Sequence, residues 1–195
     1  MKKLNITMIL ILVFFALIAK SSIAQDHMNH QDQNHEAEEQ ERFEDVPEVF
    51  RANLTEVVEA YISGKEALLV SDLDAMITSF ETFIETLKVI GSHGLSGDGH
   101  MAWMESYAQL TEHASTLAAA GDIGDARVAF RHLSEELAMS VKKFGVDGVL
   151  YHQYCPMAID SKGATWLSGQ EQIQNPYTPE TMIGCGEVIE RIEKM

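Results

Sequence analysis

Positive charge is scarce in this sequence, which has 14 lysines and arginines against 30 aspartates and glutamates. The resulting net charge of −16 repels nucleic acid and anionic lipid, and it attracts cations. Nucleic-acid binding is therefore excluded. Long apolar runs are also absent beyond the N-terminal segment, so no later stretch approaches the roughly 20 apolar residues that a membrane helix needs. Membrane insertion of the mature chain is not expected.

The N-terminal segment has the features of a secretory signal peptide. Lys2 and Lys3 precede an almost wholly apolar run over residues 6–18, and the small residues Ser22 and Ala24 suit a cleavage site. We expect cleavage after Ala24, which leaves 11 basic and 30 acidic residues and a charge of −19. The mature protein is predicted to be periplasmic or secreted.

Residues 25–45 are polar, lack apolar periodicity and are predicted to be disordered. They include His27, Met28, His30 and His35. Such a tail fits either a loose metal-capture segment or a solvated linker.

The domain proper is predicted to begin at residue 46. Apolar residues recur at three- and four-residue steps in four segments, which predict helices to about residue 70 and over residues 71–90, 99–120 and 122–144. We expect an all-α fold, an up-down-up-down four-helix bundle with an irregular C-terminal extension over residues 149–190. Residues 187–194 are expected to form a last helical turn or two.

Motifs of known catalytic sites are absent. The sequence has no nucleophile elbow, no glycine-rich phosphate loop and no H-E-x-x-H. Most acidic residues fall on the solvent faces of the predicted helices, and Arg127 is expected to pair with an acid. The protein is therefore not expected to be an enzyme.

Cysteine is also scarce, and both cysteines lie in the C-terminal extension beside methionines. Cys155 is followed by Met157, and Cys185 is preceded by Met182. In an exported protein the pair could form a disulfide, which would close a loop of about 30 residues. Thiolates and thioethers are also soft donors that together select Cu(I). Spacing alone does not separate the disulfide from the metal site.

The histidines differ in their predicted surroundings. His152 lies beside the sulfurs, and His100 falls close to the apolar stripe of the third helix, so each is a candidate auxiliary ligand. His113 and His132 lie off the apolar stripes and are expected to be exposed residues that do not bind metal.

Several separated runs resemble the DUF3347 family of exported bacterial proteins over about residues 47–190. They are YHQYCPMA (151–158), GATWLS (163–168), Ile173-x-Asn175-Pro176-Tyr177, Met182-x-x-Cys185-Gly186, His100-x-x-Trp103-Met104 and Arg127-x-x-Phe130 with Leu133-Ser134.

The resemblance implies metal handling, because the genomic setting of this family is similar to that of the adaptor subunits of heavy-metal efflux systems. The YHQYCPM run is also similar to the YHYxCPMHP heavy-metal-binding module of those adaptors. Here Ala158-Ile159 replaces the His-Pro of that module, so the histidine ligand is missing. Asn175-Pro-Tyr-Thr-Pro also replaces the usual Asn-Pro-Tyr-Phe-Gly.

The leading hypothesis is an exported copper-binding protein, a periplasmic chaperone or scavenger that could serve an efflux adaptor. Cys155, Met157, Met182 and Cys185 would bind Cu(I), with His152 or His100 as an auxiliary donor. The alternative is a helical interaction module, stapled by a Cys155–Cys185 disulfide, that docks an efflux or envelope partner without binding metal.

Overall fold

A computed structural model describes residues 42–92 and 94–193. The predicted signal peptide and the ligand candidates His27, Met28, His30 and His35 lie outside the described residues. The segment 25–45, which was expected to be disordered, overlaps the described residues at its C-terminal end. There Phe43 stacks on Phe144, and the Phe43 amide donates to the Lys143 carbonyl at 3.0 Å. Residue 43 therefore packs on the helical domain.

Four long helices make up most of the described chain. They are α1 (Glu48–Leu69), α2 (Leu73–Ile90), α3 (Gly97–Ala118) and α4 (Ile123–Phe144). None of the helices among the described residues is long and apolar enough to cross a membrane. The four predicted helices are thus confirmed, while their up-down-up-down order stays a prediction.

Local sequence explains several of the helix ends. The side chain of Asp72 accepts from the Ala75 amide at 3.0 Å and begins α2, and that of Asp122 accepts from the Gly124 amide at 2.8 Å and begins α4. Gly145, with a φ of 75°, ends α4 in a conformation that favours glycine.

Gly64, inside α1, has a packing role. A Cβ at this position would lie 2.5 Å from Cζ of Phe80 on α2, so only glycine lets the ring approach the α1 backbone. The helix-weakening glycine is therefore a condition for close α1–α2 packing.

The C-terminal extension is regular where the sequence predicted irregular structure. It contains β1 (Val149–Cys155), the single turn α5 (Ala158–Ser161), β2 (Ala164–Ser168), α6 (Pro179–Met182) and β3 (Glu187–Glu193). The strands form an antiparallel sheet in the order β2-β1-β3. The expectation of an all-α fold with an irregular extension was wrong in this part.

The final segment shows why the prediction failed. Residues 187–194 were expected to be helical, but residues 187–193 are the edge strand β3, where Glu190 pairs with His152 and Ile192 with Leu150. Over so short a length the sequence of this segment fits both the helical and the strand periodicity. The hydrogen bonds that β1 offers then decide that it forms a strand.

The sheet packs against the helices through a buried tyrosine. The Tyr61 hydroxyl accepts from the Leu167 amide of β2 at 3.1 Å and lies 2.7 Å from Oγ of Ser134 on α4. Its ring stacks on Phe130 with centroids 5.0 Å apart. One side chain of α1 thus joins β2 to α4.

Arg127 on α4 joins three further segments. Its Nη2 donates to the Leu68 carbonyl at 3.0 Å, to the Ser71 hydroxyl at 3.0 Å and to Glu180 at 2.8 Å. Its Nε donates to the Pro176 carbonyl at 3.0 Å. The prediction that Arg127 pairs with an acid is confirmed.

We therefore expect Arg127→Met to lower the free energy of unfolding by about 2 kcal/mol, because it leaves the part-buried Leu68 and Pro176 carbonyls without this donor. Urea unfolding measures the change. The matched control is Arg131→Met, which removes a half-exposed pair with Glu135 in the same helix and should cost at most about 0.5 kcal/mol. Equal losses in the two variants would contradict the linking role.

Candidate functional site

The two cysteines are joined in a disulfide. Cys155 is the last residue of β1, and Cys185 lies in the connection between α6 and β3, with 5.8 Å between their Cα atoms. Cys155 is buried and Cys185 is half-buried. The two cysteines are 30 residues apart in sequence, and the loop that their bond closes contains all of β2.

The disulfide holds a segment, residues 169–186, that covers one face of the sheet. Gln153 Nε2 donates to the carbonyls of Gln170 at 2.9 Å and Glu171 at 3.2 Å. The Tyr177 hydroxyl donates to the Thr165 carbonyl at 2.7 Å. These bonds from β1 and to β2 fix the segment over the strands.

The two candidate thioether ligands flank the disulfide. Met157 is 50% exposed and lies between Cys155 and α5. Met182 ends α6 half-buried, and its carbonyl accepts from the Cys185 amide at 2.9 Å. Each cysteine of the disulfide therefore has one methionine close to it along the chain.

The turn after Met157 has an unusual backbone. Ile159, Asp160 and Ser161 have φ values of 48°, 54° and 62°. A β-branched residue in this region is strained. The neighbouring packing must therefore hold the turn, since Ala158 is fully buried and Gly163 lies against the ring of Tyr154.

His152 occupies the opposite face of β1 from the disulfide. Successive side chains of a strand alternate in direction, and β1 pairs regularly with β2 from Tyr151 to Cys155. His152 and Cys155, three residues apart, therefore point to opposite faces. In this register His152 does not join the sulfurs as the auxiliary donor that was expected.

The surroundings of His152 keep its ring neutral. The side chain is buried, and neither ring nitrogen has a hydrogen-bond partner. Burial and the positive charge of Lys142 lower the pKa of His152 from 6.5 to about 4, and Glu190, 3.9 Å from Nδ1, opposes the shift. Lys142 Nζ lies 2.5 Å from the same Glu190 carboxylate, which moderates that opposition.

His100 lies in the first turn of α3 and is half-buried. The core side chain one turn further along α3 is Trp103, whose Nε1 donates to the Gly91 carbonyl at 2.5 Å. Met101 and Met104 beside them are exposed. His100 thus lies at the rim of the helical core, on a different element from the disulfide.

Within residues 42–92 and 94–193, no three His, Cys, Asp or Glu side chains form a group that could hold a metal ion. Sequence reasoning did miss one pairing: the rings of His113 on α3 and His132 on α4 stack with centroids 5.7 Å apart. Each histidine is unremarkable on its own helix, so only helix packing could reveal the pair.

The fold and the candidate site define a mostly helical protein that carries a small antiparallel sheet, one face of which is covered by a disulfide-bonded segment. Residues 57–148 match the model of the family described as "Protein of unknown function (DUF3347)". This match supports the family resemblance that the sequence motifs indicated. It runs from within α1 to the residue before β1, so YHQYCPM and Cys185 lie outside it. No curated protein and no solved structure matches the chain.

The buried neutral His152 predicts acid sensitivity. Because its pKa is lower in the folded state, the unfolded chain binds the extra proton between pH 6.5 and about 4. The contribution of His152 to the free energy of unfolding is therefore constant above pH 6.5. As the pH falls toward 4, protonation of the unfolded chain lowers the free energy of unfolding by at most roughly 3 kcal/mol. Urea unfolding from pH 7.5 to 4 measures it.

Replacing His152 by leucine should flatten this decline. His132→Gln, at an exposed side chain, is the matched control and should keep the parent slope. If the stability of the His152→Leu protein fell as steeply with pH as that of the parent, His152 would not be the cause of the acid sensitivity.

Proposed function

We propose that the protein is an exported copper-binding protein, a periplasmic chaperone or scavenger in metal resistance or efflux. The observation that carries the proposal is the pairing of Cys155 with Cys185, each with a methionine two or three residues away. The fold brings two soft-donor segments together from 30 residues apart. Sulfur donors of this kind prefer Cu(I) over the hard cations of the exterior.

Copper binding by the cysteines requires the reduced form. A dithiol reductant would supply two electrons and two protons, which convert the disulfide to two thiols. Each thiol then releases a proton when its sulfur binds Cu(I). The oxidised form would be a resting state and the reduced form the loading state.

Burial suggests a route for the ion. Cys155 is fully buried, whereas Met157 is half-exposed and Cys185 half-buried. Met157 can therefore take Cu(I) from solvent before the thiolates receive it. The acidic surface raises the local concentration of cations, and His27, Met28, His30 and His35 would capture metal loosely.

The expected partner is a protein of a heavy-metal efflux system, such as an adaptor. This expectation rests on two sequence features, the family resemblance and the predicted signal peptide, which would export the protein to the compartment of such a partner. A binding protein also agrees with the missing catalytic motifs, and no catalysis is proposed.

Titration of the reduced, exported protein with Cu(I) against a competing chelator tests the proposal. We expect tight binding of one Cu(I), and its loss in the Cys155→Ala/Cys185→Ala protein. Met157→Leu and Met182→Leu should each weaken binding roughly tenfold, about 1.4 kcal/mol. Met139→Leu, at an exposed methionine of α4, is the matched control and should bind as the parent does. Equal affinity in the cysteine-free protein would refute the proposal.

A second candidate function is a disulfide-stapled interaction module. Its support is the disulfide itself, together with exposed apolar side chains in the same C-terminal part, namely Val149, Met157, Ile183 and Ile189. In this role the bond would hold the segment over the sheet, and the apolar surface would dock an efflux or envelope partner without metal.

The thiol state after export distinguishes the two candidates. A permanent staple predicts no free thiol on alkylation and mass analysis, with two alkyl groups added only after unfolding and reduction. Removing the disulfide by Cys155→Ala/Cys185→Ala should lower the free energy of unfolding by about 3–4 kcal/mol, because the bond closes a loop of 30 residues. Free thiols in the exported protein would contradict a permanent staple.

A further inference from the structure

Two histidines far apart in sequence meet across neighbouring helices. The rings of His113 on α3 and His132 on α4 have centroids 5.7 Å apart and planes inclined by 29°. His113 is half-buried, and the side chain of His132 is 56% exposed. The pair is therefore open to solvent and held on two rigid elements.

Two carboxylates of α4 interact with the pair. Glu135 Oε2 lies 3.8 Å from His132 Nδ1, while the other oxygen of Glu135 accepts from Arg131 Nε at 2.9 Å. Glu136, on the next residue of α4, interacts electrostatically with His113. Arg131 thus holds one oxygen of Glu135 and leaves the other toward the histidine.

A groove adjoins this cluster. It lies between the C-terminal half of α3 and the N-terminal half of α4, has a volume of ≈ 840 Å³, and is lined by residues that include Glu112, Asp125 and His132. His132 is thus accessible from a groove that carries two acidic side chains, which favour cations.

In their observed rotamers His113, His132 and Glu135 do not form a metal-binding group. We propose that rotation of these side chains lets His113 and His132 bind one borderline divalent cation, Cu²⁺ or Zn²⁺, as a bridge between α3 and α4, with Glu135 as a third donor. Metal–nitrogen bonds of about 2.0–2.1 Å place two imidazoles that share an ion with centroids roughly 5–6 Å apart. The observed centroid separation of 5.7 Å lies within this range.

The donor set fits these ions. Imidazole and carboxylate suit Zn²⁺ and Cu²⁺, whereas Cu(I) prefers sulfur. The site is independent of the disulfide and of the copper function proposed above, because it uses none of the sulfur ligands. Water would complete the coordination, as the exposure of His132 allows.

The test uses the exported protein with its disulfide intact and with His27, His30 and His35 replaced by alanine, so that the tail cannot chelate metal. Isothermal titration with Zn²⁺ and Cu²⁺ against a competing chelator should give one equivalent bound. His113→Gln/His132→Gln should weaken that binding by about 100-fold. His100→Gln, at a half-buried histidine near the start of α3, is the matched control and should leave it unchanged.

A second readout separates binding from misfolding. Zn²⁺ bound only by the folded state raises the unfolding midpoint, so the rise should occur in the parent and the His100→Gln protein and vanish in the double variant. Glu135→Gln should give an affinity between those of the parent and the double variant, and parental affinity would remove Glu135 from the site. No bound equivalent in the tail-substituted parent, or full binding in the double variant, would overturn the proposal.

Because the cysteines are untouched and oxidised throughout, failure here is distinct from failure of the Cu(I) titration on reduced protein. Loss of the divalent ion with retained Cu(I) binding would reject only the histidine site. The converse result would reject only the sulfur site.

Discussion

The position of the sheet depends on one buried hydroxyl. Tyr61 of α1 accepts from the Leu167 amide of β2 and meets the Ser134 hydroxyl of α4, so three elements share a single polar contact inside the core. Burial holds the pKa of Tyr61 well above its usual range, and the phenol therefore stays neutral. An unpaired strand amide in an apolar core would be costly, and Tyr61 removes that cost. Strand β2 can consequently lie against the helices.

Once β2 is placed, the surroundings of the disulfide follow. Strand β1 lies between β2 and β3, and residues 169–186 cover the face that carries Gln153 and Cys155. Alternation along β1 turns His152 to the other face, near Lys142 of α4. The same strand thus serves two chemically different environments, a sulfur-containing face beneath the covering segment and a face with a neutral histidine. A motif read as one continuous run, YHQYCPM, is divided between them.

Local rules predicted the helices well and the extension poorly. Asp72 and Asp122 are aspartates at helix starts, and their capping bonds involve only neighbours in sequence, so their effect was visible in the chain. By contrast, β3 forms because β1 offers it hydrogen bonds from more than 30 residues away, and its short sequence would also suit a helix. The ligand candidates followed the same division. Cys155 and Cys185 were identified as a pair by their rarity, whereas His113 and His132 were each considered exposed and their pairing went unnoticed.

The sequence by itself determined what depends on composition and near neighbours: the acidic charge, the four helices and the family motifs. Those properties arise from summed charge, apolar periodicity and caps that act within a few residues. Tertiary structure alone decided that the extension is a sheet, that His152 and Cys155 point to opposite faces, and that His113 meets His132. Each of these requires two segments to be held in register by packing. Such register is set by the shape of the core, in which Gly64 admits Phe80 and Tyr61 receives β2, and no local pattern encodes it.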